Sequence, residues 1–190
     1  MRSADIDILD GLRARLAQQS TRGDTNAPVY PVAGGESLQA AESTLGSKFP
    51  ELLARIYTEV ANGGFGPASG LLGLAGGFPD VDGCTAVDRY QRLRVQGWKE
   101  RLLPAFDWGD GCWSCVDLST PSGIIVTADE AGYTATRFDV RTWFAEWMKG
   151  TDLHGEIYEL GEATIINPFT RKPMVVRRRE KAKGTLIQGT

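Results

Sequence analysis

LLPAFDWGDGCWSCVDLSTPSGIIVT, residues 102–127, decides the fold. Three short apolar stretches, Leu102–Phe106, Cys112–Asp117 and Gly123–Thr127, read as strands. Trp108-Gly109-Asp110-Gly111 and Thr120-Pro121-Ser122-Gly123 between them carry turn chemistry. A crossover helix does not fit into connections this short, so the strands form an antiparallel meander.

Helices flank this core in sequence. Residues 4–19 place Leu9, Leu12 and Leu16 on one face. A second helix is expected from Ser37, as N-cap, to Leu45, with Gly46 as its stop. Pro50 suits the first position of a third, whose Leu52, Leu53, Ile56, Tyr57 and Val60 share a face before Asn62-Gly63-Gly64 ends it. Gly70–Gly77 reads as a short strand and glycine turn. Thr85 and Asp88 stand at capping-box spacing before a helix to Gln96. Asp139 caps a helix with Val140, Trp143, Phe144, Trp147 and Met148 on one side, closed by Gly150. Tyr158–Ile166, a turn at Asn167-Pro168 and a strand at Met174–Val176 follow. The expected class is α+β, an antiparallel meander with helices packed on one side. Its divisions are an N-terminal helix and arm (1–35), a core (36–160) and a C-terminal extension with a basic tail (161–190).

Charge is unevenly placed. Residues 171–190 hold seven basic side chains against one acid, whereas residues 1–170 hold 14 bases and 23 acids. An acidic body repels nucleic acid and favours basic partners. For the tail, a solvated terminus is the preferred reading over weak nucleic-acid binding. Asp5, Asp7 and Asp10 interrupt the place of a signal peptide's apolar segment, and Gly70–Phe78 is too short to cross a bilayer. Three cysteines suit a reducing compartment, so a cytoplasmic protein without membrane attachment is expected.

Little points to catalysis. Cys112-Trp113-Ser114-Cys115 has redox spacing, but a strand places its thiols on opposite faces, and no helix N-terminus lowers their pKa. Cys84 and the lone His154, in what reads as a loop, make no convincing zinc set. Asp107, Asp110 and Asp117 could hold a hard metal, but Asp107 and Asp110 flank a turn, and the turn reading is preferred. No catalytic residue, metal or cofactor is expected. Asp107, Trp108, Asp110 and Trp113 remain as partner-binding candidates. Trp108 reads equally as an exposed interface anchor or as a core residue folded back under its turn.

Three segments, LGSKFPELLARIYTEVANGGFG, the meander from Leu102 and DVRTWFAEWMKG, together resemble the SUKH superfamily of Smi/Knr-type proteins. The resemblance covers about residues 37–160 and rests on the order and spacing of all three. It implies a compact α+β domain that works through protein contacts. Bacterial members of this kind look like immunity proteins that bind and neutralise a toxin, often of nuclease type. A regulatory or scaffold protein of the same fold, with no toxin partner, is the alternative.

Overall fold

The computed structural model describes residues 3–22, 30–181 and 185–186. It shows the α+β class: helices α1 (Ser3–Arg22), α2 (Gly35–Leu45), α3 (Glu51–Glu59) and α4 (Ala86–Val95) precede strands β1 (Leu102–Asp107), β2 (Trp113–Asp117), β3 (Ile124–Asp129) and β4 (Gly132–Asp139). Then come α5 (Val140–Lys149), α6 (Leu153–Ile157), β5 (Tyr158–Ile166), β6 (Pro173–Lys181) and the two-residue β7 (Thr185–Leu186).

β1 to β3 form the expected meander, β4 extends it by one strand, and β7 joins its far edge against Thr134 and Ala135 of β4. Among the described residues, β5 and β6 pair with each other and with no other strand, as a separate two-stranded hairpin. Ala105 is bulged between Pro104 and Phe106, and Pro104 sits where an edge strand tolerates a missing N–H. The outer edge of β1 is covered in turn. Leu71 bridges Phe106, and the Leu72 N–H donates to the Ala105 carbonyl at 2.8 Å.

Register explains the burial. Phe106 pairs with Ser114, and the ring of Trp143 on α5 lies 5.7 Å from that of Phe106, which sets α5 on this face. Trp113 points the other way, beneath Arg89 of α4. The expectation of helices on one side thus describes α1, α3 and α5, while α4 also covers part of the opposite face. With both faces covered, the strands read as near-continuous apolar runs rather than alternating ones. Trp143, Tyr57, Phe106 and Phe144 are the largest fully buried side chains, each worth about 1.5–3 kcal/mol in transfer from water.

Caps behave as local rules require. The Thr85/Asp88 and Asp139/Thr142 boxes are both closed, and Gly46 and Gly150 end α2 and α5 in the left-handed region. Asn62-Gly63-Gly64 has a tertiary purpose as well. The Asn62 Oδ1 accepts the Leu74 N–H at 2.7 Å, and a Cβ on Gly63 would stand 2.4 Å from the Leu71 carbonyl oxygen. The backbone after α3 therefore lies directly on the 71–74 segment.

Several local expectations give way. Helix α2 begins two residues before Ser37, after Gly34, and the Ser37 hydroxyl instead donates to the Ala75 carbonyl. Pro50 is the N-cap of α3 rather than its first residue. Gly70–Gly77 makes a single β-bridge, because its backbone bonds are divided among Asn62, Phe65 and Ala105. Strand β4 was not anticipated, since a rim strand carries threonines and an arginine in place of an apolar run. Helix α1, by contrast, docks in the core through the expected Leu9 and Leu12 face, with the Arg15 guanidinium 4.3 Å from the centre of the Trp147 ring. Arg177, Arg178 and Arg179, read as a solvated tail, lie in the paired strand β6. Residues 23–29 of the arm and the end beyond Leu186 lie outside the described residues.

Candidate protein-binding surface

The register Asp107–Trp113, Trp113–Ala128, Ala128–Tyr133 sets the β1–β2 and β3–β4 turns at one end of the sheet. Asp107 and Asp110 come from the first turn, Asp129 and Glu130 from the second. Four carboxylates that lie far apart in sequence thus share one rim.

The first turn is held tightly. Gly109, Asp110 and Gly111 all have positive φ, at 79°, 54° and 74°, and the Asp107 Oδ1 accepts the Gly109 N–H at 2.8 Å. Backbone bonds of 2.9 Å run from Trp108 N–H to the Cys112 carbonyl and from Cys112 N–H to the Gly109 carbonyl. Asp110 is exposed at the tip. In the second turn the Asp129 Oδ1 accepts the Ala131 N–H at 2.9 Å, and Glu130 is exposed.

Trp108 folds back under its turn and is only half-buried. Its indole N–H donates to the buried Ser114 hydroxyl at 2.8 Å, and its ring meets those of His154 and Trp143 at 5.2 and 6.5 Å. Between the two readings of this residue, the ring is a wall of the rim rather than a free-standing anchor. Trp113, 6% exposed, presents no surface, because Arg89 covers it.

Sequence reasoning missed Asp129, Glu130, His154 and Tyr158. Asp129-Glu130-Ala131-Gly132 has the turn chemistry that could have revealed the second turn. His154 belongs to α6, a five-residue helix capped by Asp152, not to a loop. Its ring lies 5.2 Å from both Trp108 and Tyr158. Burial, with Cys112 and Asp129 close by, pushes the Tyr158 phenol far above its ordinary pKa. The hydroxyl is buried beside the Cys112 thiol, and the ring serves as a foot for the β5–β6 hairpin.

The alternative chemistries fare as follows. Cys84, Cys112 and Cys115 are buried free thiols. Burial drives the Cys115 thiol strongly upward, the opposite of the shift that makes a thiolate nucleophile. Asp117 pairs with Leu102 at the end of the sheet away from Asp107, and its carboxylate accepts from the Ser119 N–H and hydroxyl. The aspartate trio is thus divided between two ends, with Asp107 and Asp117 each bonded to its own turn. Among the described residues, no three of His, Cys, Asp and Glu gather as a metal would require, and no helix is long and apolar enough to cross a membrane.

Comparison with models of known protein families and with curated proteins finds no match.

Proposed function

We propose that this chain is a protein-binding module of immunity type, which covers and neutralises a toxin domain with a basic surface, such as a nuclease. The acidic rim of Asp107, Asp110, Asp129 and Glu130 carries this reading, since two turns on a rigid sheet hold its carboxylates toward one side. Such a rim accelerates encounter with a positive partner, while Trp108 and the ordered backbone beneath it supply complementary shape. The resemblance of the three segments to Smi/Knr-type proteins supports the same class, and a cytoplasmic location follows from it.

The test is co-purification with, and protection against, a toxin domain encoded beside this chain. A stoichiometric complex that abolishes the toxin's activity, and weakens on charge reversal at Asp110 and Glu130, is the expected result. Failure of the chain to bind or protect against such a toxin overturns the reading.

A further inference from the structure

The β5–β6 hairpin is built unlike the rest of the molecule. Its strands are nine residues each and, among the described elements, pair with no other strand. An isolated two-stranded ribbon is marginal in water by itself. Its outer half carries large apolar side chains in solvent: Ile166 and Val175 are each 61% exposed, Met174 is 39% and Phe169 is 93%.

The tip is nevertheless held in one shape. The Asn167 Oδ1 accepts the Phe169 and Thr170 N–H groups at 2.9 and 3.0 Å. Asn167 N–H donates to the Lys172 carbonyl, and Arg171 N–H to the Asn167 carbonyl, at 2.9 and 2.8 Å. An apolar side chain presented outward by a bonded turn loses little freedom on docking.

Charge identifies the occupant. Residues 158–181 hold six bases and three acids, whereas residues 1–157 hold 21 acids and 14 bases. The arm is basic and the body acidic, so the chain is complementary to itself. The same acidic body would repel the phosphates of a nucleic acid or an anionic membrane.

Among the described residues, two grooves could receive Phe169. The one walled by Phe49, Pro50, Leu118 and Pro121 carries both Lys48 and Glu51, and so offers no net charge to Arg171 and Lys172. The other lies between α2 and α4, has about 230 Å³, and is lined by Ala40, Ala41, Ala75 and Val87 together with polar serine, threonine and glutamine side chains, with Asp88 as its one charge.

We propose that the β5–β6 hairpin is a dimerisation arm, which places Phe169 in the α2–α4 groove of a second copy of this chain. Reciprocal exchange closes the pair with two-fold symmetry. This inference does not rest on a toxin partner.

Light scattering on the full chain, at micromolar concentration and low salt, tests it. Twice the chain mass is expected. Phe169→Ser, and separately Arg171→Glu with Lys172→Glu, should weaken association by about tenfold or more with an unchanged far-UV circular dichroism spectrum. Val87→Arg should do the same from the groove, with Ala40→Arg as the substitute if that variant misfolds. Mixing Phe169→Ser with the groove variant should restore part of the dimer, because one arm and one groove remain intact in the pair. A monomeric wild type, or a dimer indifferent to either set of changes, overturns the proposal. So does a monomer whose Phe169 is needed to bind duplex DNA or anionic vesicles.

Discussion

The Arg89 guanidinium lies 5.5 Å from the centre of the Trp113 ring, held there by Asp80 and Asp82 at 2.6 and 2.5 Å. The Asp80 carboxylate also accepts the Asp82 and Cys84 N–H groups, both at 2.9 Å. One buried carboxylate thus shapes the loop before α4 and aims the cation that covers the sheet.

Burial alone would raise the Asp80 pKa, but the bonds from Arg89 and from the Cys84 and Asp82 amides outweigh it and hold the carboxyl below its ordinary range. A depressed folded-state pKa contributes stability in full above the unfolded value, about 3.9, and loses it as pH falls through the folded one. Asp80→Asn should cost about 2–4 kcal/mol at neutral pH in denaturant unfolding. The gap between variant and wild type should narrow in acid below about pH 4. A gap independent of pH would show that shape, not charge, matters at this position.

Gly63 and Gly109 separate two costs of a side chain. Both have positive φ, but a Cβ on Gly109 meets nothing within 4 Å, while one on Gly63 lies 2.4 Å from the Leu71 carbonyl oxygen. Gly109→Ala should therefore cost about 1 kcal/mol, for backbone conformation alone. Gly63→Ala should cost about 3 kcal/mol or more, because the 71–74 segment must move. Equal melting temperatures for the two variants would contradict the close approach.

Trp108→Ala tests the packing of the rim. Loss of the contacts with Trp143 and His154 and of the indole bond to Ser114 should destabilise the fold by about 2–3 kcal/mol. Ser114→Ala, which removes the acceptor of the indole N–H, should cost about 1–2 kcal/mol. A Trp108→Ala protein as stable as wild type would return the residue to the role of a free interface anchor.

Charge reversal on the rim should leave the fold alone. Glu130→Lys sits at an exposed turn and should change stability by about 0.5 kcal/mol or less. Asp110→Lys, at a positive φ that aspartate tolerates better than lysine, should cost about 1 kcal/mol. Association with a basic toxin domain should slow, and the loss should shrink as salt rises. Stopped-flow rates at two ionic strengths decide it, and rates equal to wild type at low salt would remove the rim from the encounter surface.

Much of the local structure was legible because its causes are local. A cap is settled within four residues, so Thr85 with Asp88, Asp139, Gly46 and Gly150 were found from spacing and residue type. The meander followed from turns too short for any other connection. Strand β4 escaped because its outward positions are polar, and α6 because five residues show no periodicity.

The sequence by itself determined the α+β class, the strand–turn–strand order from Leu102 to Thr127 and the contrast between acidic body and basic end. All of these depend on residue type and near-neighbour spacing. Only the tertiary structure decided that Trp108 turns inward, that Arg89 covers Trp113, and that Asp129 and Glu130 join Asp107 and Asp110 on one rim. Those outcomes turn on register and on which face a distant helix covers. Strand pairing and helix docking bring together groups whose separation along the chain leaves no mark in either local pattern.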